Sequence, residues 1–159
     1  MNAPALNQSD RKSFLDIWGS SLAPRSLGYR FKLLTQLMSR HFQEVLEPHG
    51  LTVFHWVVLC CLWEEDGLAT SVICGRLQQV GGTLTGVLDR MEERGLIRRE
   101  RDRNDRRIWR IYLSEEGDGL RHILPPIARQ ATDNALFGIT ETERALLSRI
   151  LDQVIQNLS

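Results

Sequence analysis

The sequence predicts a mainly α (α+β) fold, and three observations point to it. Apolar residues recur at helical spacing near both ends of the chain, two short helical segments in the middle are separated by glycines, and two short alternating segments follow them. With 159 residues, 42% of them apolar, the chain is long enough for one domain with a real core. The longest apolar run, Trp56 to Trp63, is far shorter than the roughly 18 residues of a membrane span. We therefore expect a cytoplasmic protein that does not bind a membrane.

The N-terminal part is predicted to be an arm followed by a long helix. Residues 1–24 form the arm, in which the stretch FLDIWGSSL, residues 14–22, can form a short helix. Residues 25–50 form the long helix, which Pro48 and Gly50 end. Its apolar stripe comprises Leu27, Phe31, Leu34, Met38, Phe42 and Val45. A stripe of this length needs a partner surface, so we expect a dimerisation helix.

The central residues, 51–114, are predicted to begin with a buried helix. Thr52 is a good N-cap, because its hydroxyl can accept a hydrogen bond from a free N–H group of the first turn. The following stretch, VFHWVVLCCLW, is apolar almost all round, which is typical of a helix buried on every side. Gly67 then breaks the pattern.

Two shorter helices are predicted next. Thr70 or Ser71 can cap the first, which covers residues 70–77. Residues 80–82 make a glycine-bearing turn, and the second helix covers residues 83–94. Two short helices joined in this way form a helix-turn-helix.

Two strands are predicted after these helices, at Ile97–Arg101 and Arg107–Leu113, with the turn DRND at 102–105 between them. The hairpin is strongly basic: nine of the eighteen arginines fall between Arg90 and Arg110, although the whole chain has a net charge of zero. Such localised positive charge is typical of a phosphate-binding surface. A helix-turn-helix followed by a basic hairpin is a winged helix-turn-helix.

Residues 115–159 are predicted to form C-terminal dimerisation helices. Ser114 caps the first of them, and Pro125 and Pro126 kink or interrupt it. Thr140 and Glu143 form a capping box for the last helix. The apolar seam of that helix comprises Leu147, Leu151, Val154 and Leu158. The 4-3-4 spacing of the seam suits packing against a partner helix.

A winged helix with this charge is suited to double-stranded DNA. The second helix of the helix-turn-helix can lie in the major groove, where Thr83 and Thr85 approach base edges and phosphates. The hairpin tip can carry an arginine into the adjacent minor groove. The alternative is a solvated charged hairpin with ordinary surface threonines beside it.

Three motifs in order, LDRMEERGLIRR at 88–99, DRNDRR at 102–107 and YLSEEG at 112–117, make the chain resemble the MarR family of transcriptional regulators. The resemblance covers about residues 25–158. It implies an obligate homodimer that reads a pseudo-palindromic operator. It also implies that Arg90 lies near the DNA backbone and that Asp105 pairs with Arg107, the wing arginine that enters the minor groove.

The DNA-contacting residues that chemistry and resemblance together predict are Thr70, Ser71, Thr83, Thr85, Arg90, Arg103, Asn104, Asp105, Arg106 and Arg107. The chain departs from the family at Gly86, where many members have a larger residue that contacts bases. Gly81 and Gly82 likewise replace the polar residues that usually cap this helix.

An effector pocket is predicted between the dimerisation helices and the winged helix. Its candidate lining residues are Trp18, His41, His55, Trp56 and Trp63, and core packing is the alternative role for each. A small aromatic or anionic molecule is the effector that these residues suit. The three cysteines, Cys60, Cys61 and Cys74, have no metal-ligand spacing and are expected to be reduced thiols in the core.

Three functional classes follow from the sequence. The first is a DNA-binding regulator, expected to be a repressor, that responds to a small molecule. The second is a regulator switched by cysteine oxidation, and the third is a winged-helix module that binds proteins and has no DNA target. No nucleophile–base pair, metal spacing or phosphate-binding loop is present, so we expect neither enzymatic activity nor a cofactor.

Overall fold

The computed structural model of the protein describes residues 26–77 and 81–159, and for 81–83 it describes the backbone. The predicted arm, with its short helix at 14–22, lies outside the described residues. Two compact units are present, one that ends at His41 and one that runs from Phe42 to Ser159.

The described residues form seven α-helices and a small sheet. The helices are α1 (Leu27–Leu46), α2 (Val53–Glu64), α3 (Thr70–Leu77), α4 (Gly81–Glu93), α5 (Glu115–Gly119), α6 (Leu124–Ala135) and α7 (Glu141–Leu158). The strands are β1 (Leu68–Ala69), β2 (Ile97–Arg101) and β3 (Trp109–Leu113). Short 3₁₀ turns at Glu47–His49 and Leu120–His122 follow α1 and α5. This element order is that of a winged helix-turn-helix, as predicted.

Helix α2 begins with the predicted cap. The Thr52 hydroxyl accepts a hydrogen bond from the backbone N–H of His55 at 3.3 Å, and the Thr52 N–H donates to Nδ1 of His55 at 3.2 Å. His55 therefore occupies the position that Glu or Gln has in the usual capping box. Its imidazole is buried, and burial, followed by the positive charges of Arg94 and Arg90, lowers its pKa.

The sheet has the order β1-β3-β2, and both pairings are antiparallel. Leu68 pairs with Ile111, and Ile97 pairs with Leu113. Strand β1 is not predicted from the sequence, because a strand of two residues is too short to show an alternating pattern. The predicted start of strand β3 at Arg107 is wrong, because the strand begins at Trp109.

Helix α4 starts at Gly81, so the predicted helix start at residue 83 is wrong and Gly81 and Gly82 of the predicted turn are helical, while residue 80 lies outside the described residues. Glycine has a low helix propensity, but one face of α4 is completely buried and this packing outweighs the local preference. The buried residues of that face are Leu84, Val87, Leu88 and Met91. Gly95, with a φ of 71°, ends the helix, and the Leu96 N–H donates to the Met91 carbonyl at 2.9 Å.

The core of the second unit lies where α2, α3 and α4 meet the inner face of the sheet. Its fully buried side chains include Val58, Leu59, Leu62, Ile73, Leu84, Leu88, Met91 and Ile111. Cys61 belongs to this core, which confirms the predicted packing role for that thiol. Among the described residues no single helix is long and apolar enough to cross a membrane. The bent pair of α1 and α2 reaches the required length and apolar composition only when the two helices are taken together.

The C-terminal helices follow the predicted caps and breaks. The Ser114 hydroxyl accepts from the Gly117 N–H at 3.0 Å, and a Cβ at Gly117 would collide with the Leu96 carbonyl oxygen. The predicted interruption falls just before the two prolines, which occupy the first positions of α6, where a proline needs no hydrogen-bond partner. Thr140 and Glu143 form the predicted capping box of α7.

The cap at His55 generates a prediction about stability and pH. Because the folded-state pKa of His55 lies below its usual 6.5, the folded state favours the neutral ring. The stabilisation is therefore present above pH 6.5 and is lost as the pH falls below it. In His55→Gln the capping box can persist but the titration cannot. The free energy of unfolding, measured by chemical denaturation at pH 7.5 and 5.5, should decrease less for His55→Gln than for the native protein. Equal decreases in both proteins would contradict the assignment.

Candidate nucleic-acid interface

The surface of α4 opposite its buried face is open to solvent. Thr85 and Arg90 are exposed there, as the sequence predicted for residues that contact DNA. At Gly86 an added Cβ would meet nothing within 4 Å, so the fold itself does not require a glycine at this position. Beside the exposed Thr85, this position therefore leaves room for a larger side chain.

The C-terminal half of α4 is fixed to the wing by Arg99. The Arg99 guanidinium donates to Asp89 at 2.6 Å, and its Nε lies 3.3 Å from one oxygen of Glu92. The backbone N–H of Arg99 donates to the other oxygen of Glu92 at 3.1 Å. The side chain of Arg99 is only 19% exposed. This arginine therefore positions the helix relative to β2, and it is not available to contact a phosphate directly.

Other arginines of the wing also serve the hairpin itself. The guanidinium of Arg101 lies 3.8 Å from the centre of the Trp109 ring and donates to the Arg106 carbonyl at 2.8 Å. Arg98 covers the Tyr112 ring at 4.8 Å and pairs with Glu100 at 3.2 Å. In the sequence these arginines are indistinguishable from the rest of the basic cluster, because a count of charges does not show which of them are already paired.

The wing tip carries the arginines that remain open. Arg103 and Arg106 are exposed, and none of the carboxylates that the structure describes pairs with them. Arg107 is 94% exposed at its side chain. Its N–H donates to Asp105 Oδ1 at 3.0 Å, and its Nε lies 3.4 Å from the same oxygen. The Asp105–Arg107 contact implied by the family resemblance is therefore present.

Sequence reasoning missed Asp102, at the base of this tip. The residue is 8% exposed and accepts hydrogen bonds from the backbone N–H groups of Asp105 and Asn104 and from the side chain of Arg110. These contacts, with that of the Asp105 N–H the largest, lower the pKa of Asp102 to about 2. No local pattern distinguishes this carboxylate from its acidic neighbours, because its principal side-chain partner is eight residues away.

The start of α3 lies beside the base of the wing. Thr70 and Ser71, both predicted to contact DNA, line a shallow pocket of about 290 Å³ together with Arg107, Ile108 and Trp109. The Thr70 hydroxyl donates to the Trp109 carbonyl at 3.3 Å, whereas Ser71 is exposed. The fold thus brings the helix start and the wing arginine to one surface. Of Thr83, also predicted here, only the backbone is described.

The candidate effector residues fall in different parts of the chain. Trp18 lies outside the described residues, and His41 is half-buried in the first unit. Trp56 and Trp63 meet edge to face at 5.7 Å, and Trp63 donates to the Gly117 carbonyl at 3.1 Å. His55 forms the cap described above. These contacts give His55, Trp56 and Trp63 defined packing roles in the second unit.

The comparisons with known proteins identify the family. The model of the MarR family matches residues 51–109, which run from the start of the α2 cap to the first residue of β3. The HTH-type regulator TtmR of Methylorubrum extorquens is 39% identical over 108 residues, which are 68% of this chain and 54% of that protein. SarZ of Staphylococcus haemolyticus, also an HTH-type transcriptional regulator, is 30% identical over 112 residues, 70% of this chain and 75% of that protein. The chain belongs to the MarR family.

The MarR fold extends beyond the matched residues. The solved structure of BpsR from Bordetella bronchiseptica superimposes with a TM-score of 0.74 at 25% identity, over 80% of this chain and 97% of that one. The chain spans about half the length of TtmR and three quarters of SarZ. In the present MarR-family chain the matched segment contains the core helix α2, the helix-turn-helix and the basic wing tip.

Proposed function

We propose that this protein is a sequence-specific, double-stranded DNA-binding transcriptional regulator that acts as a homodimeric repressor and responds to a small molecule. The observation that carries the proposal is the wing tip, where Arg107 extends almost fully into solvent with Asp105 beside it. Membership of the MarR family supports regulation of transcription as the activity. The alternative is a winged-helix module that binds proteins and has no DNA target. A measurement of specific DNA binding would exclude that alternative.

The geometry of the winged helix supports a two-groove contact. The N-terminal half of α4 is uncharged up to residue 88, so it can enter the major groove without repelling phosphates. The wing tip next to it carries Arg103, Arg106 and Arg107, the first two of which are exposed and unpaired among the described carboxylates. Arginine suits a narrow minor groove, because its planar guanidinium is weakly hydrated and the groove concentrates negative potential.

The wing arginines should differ in their effects on binding. Arg107→Ala should weaken operator binding by about 1–3 kcal/mol, because a minor-groove contact is lost. Arg103→Ala and Arg106→Ala should weaken binding to all sequences alike and flatten the salt dependence, because they remove phosphate contacts. The measurement is a salt titration of binding to DNA fragments that the purified protein retains from a genomic digest. Arg129→Ala, an exposed charge on α6, is the matched control and should change little.

The effect of Asp105 on operator binding can be measured in the same assay. Asp105→Ala removes a negative charge from a DNA-binding surface, but it also removes the group that orients Arg107. We expect weaker operator binding than in the native protein. Tighter binding would show that net charge outweighs orientation, and equal affinity of Arg107→Ala and the native protein would refute the wing assignment.

The proposed homodimer rests on the exposed apolar surface of α7. In the isolated chain Leu147 is 36% exposed and Ile155 is 59% exposed, while no residue of this helix is buried. A helix with such a surface is stable in water when a second chain covers it. Binding to a pseudo-palindrome likewise requires two recognition helices about 34 Å apart.

A charge placed in this seam should dissociate the dimer. Leu147→Glu should sediment as a monomer at micromolar concentration and lose operator binding, because a carboxylate would be buried in an apolar interface. Gln156→Glu adds the same charge to the opposite side of α7 and is the matched control. A Leu147→Glu protein that remains dimeric would locate the interface elsewhere.

A small-molecule switch is favoured over a redox switch. Burial is the first cause that raises the pKa of the Cys60 thiol to about 11, and it also raises that of Cys61, so the reactive thiolates are scarce at neutral pH. The structure of BpsR concerns regulation of its DNA binding by 6-hydroxynicotinic acid, which is an aromatic acid. An effector of this chemical class is the one that we propose for the present protein.

The two switches can be separated with one variant. A triple Cys→Ser protein and the native protein are compared in the DNA-binding assay, with peroxide and with a panel of aromatic acids. We expect at least one acid to release DNA from both proteins and peroxide to release it from neither. If peroxide releases only the native protein, the redox mechanism is correct and the small-molecule proposal is wrong.

A further inference from the structure

Asp102 is a buried carboxylate beneath a tip that is rich in arginine. Its side chain is 9% exposed, while the arginine side chains of the tip extend into solvent. Both of its oxygens are used: Oδ1 accepts from the N–H groups of Asn104 at 2.7 Å and Asp105 at 3.0 Å, and Oδ2 accepts from Nε of Arg110. The backbone N–H of Asp102 donates to the Ile108 carbonyl at 3.0 Å and closes the loop.

Arg110 connects this carboxylate to the rest of the winged helix. A terminal nitrogen of Arg110 donates to the Gly67 carbonyl at 2.9 Å, in the turn that leads into β1. Gly67 has a φ of 74°, and a Cβ at this position would lie 2.5 Å from the Tyr112 ring, so the turn requires a glycine here. The base of the wing is therefore tied to the turn before β1 by a hydrogen bond between residues 43 positions apart in the chain.

The carboxylate of Asp102 also helps to fix the position of Arg107. By accepting the N–H of Asp105, Asp102 fixes the backbone of the residue whose own carboxylate receives the Arg107 N–H at 3.0 Å and lies near its Nε at 3.4 Å. The chain of contacts thus runs from Gly67 through Arg110, Asp102 and Asp105 to Arg107. Each contact along it is a hydrogen bond or an ion pair.

We propose that Asp102 is a positioning residue for DNA recognition, which holds the wing tip so that Arg107 is presented in one orientation. The inference rests on the proposed DNA-binding function and deepens it. Loss of Asp102 should have two opposite effects on DNA affinity. Removal of a carboxylate from a basic surface strengthens attraction to phosphates, whereas loss of the fixed orientation weakens the fit to one sequence.

The test is the Asp102→Asn variant, which keeps an acceptor oxygen for the turn and removes the charge. Binding is measured to a retained genomic fragment and to unrelated DNA of equal length. We expect affinity for the retained fragment to fall at least about fivefold and affinity for unrelated DNA to stay equal or rise. Glu100→Gln is the matched control, because Glu100 lies on the same hairpin and its carboxylate pairs with Arg98, while it is the backbone of Glu100 that pairs with Arg110. It should not weaken either binding.

The same Asp102→Asn substitution, made in the Arg107→Ala protein, tests whether Asp102 acts through Arg107. In Arg107→Ala the residue to be positioned is absent, so Asp102→Asn should add no further loss of specific binding. Equal losses in both backgrounds, or tighter specific binding by Asp102→Asn, would overturn the proposal. Arg110→Lys breaks the tether from its other end without a change of charge, and it should also lower specific affinity. It serves as the test if Asp102→Asn does not fold.

Failure of this inference is distinguishable from failure of the proposed function. If the native protein binds neither DNA, the proposed function is wrong. If it binds the retained fragment and Arg107→Ala weakens that binding, but neither Asp102→Asn nor Arg110→Lys does, then DNA recognition stands and the positioning role of Asp102 is refuted.

Discussion

The proposed recognition surface depends on one packing constraint, which is the burial of a single face of α4. Leu84, Val87, Leu88 and Met91 are each at most 2% exposed. Full burial of such side chains stabilises a fold by about 1.5–3 kcal/mol each, which outweighs the two glycines at the helix start. Since this face is fixed against the core, the opposite face must point to solvent. The orientation of the helix, and of the wing that Arg99 ties to it, follows from this burial.

The arginines of the central region have two distinct roles. Some stabilise the hairpin by pairing or stacking, as Arg99, Arg101 and Arg110 do. Others, at the tip, remain open to solvent. The first group makes the second useful, because an exposed arginine on a mobile loop loses conformational entropy when it binds, whereas a preorganised one loses less. The local positive charge is therefore part structural support and part proposed binding surface.

The aromatic and histidine residues of α2 show how packing can use side chains that also suit a ligand. His55 completes a helix cap, and Trp63 bonds to the Gly117 carbonyl. Gly117 in turn packs so closely on the Leu96 carbonyl that no larger residue fits. These contacts join α2, α5 and the start of β2.

The sequence by itself determined the winged-helix order, the caps at Thr52, Ser114 and Thr140, the end of α4 at Gly95 and the basic wing tip. These features depend on residues within a few positions of one another, so local spacing reveals them. The tertiary structure decided where α4 begins, that β1 exists, which arginines stay open, and that Asp102 lies at the base of the wing. Those outcomes depend on partners far apart in the chain, such as Arg110 and the Gly67 carbonyl, and only folding brings such groups within hydrogen-bond distance.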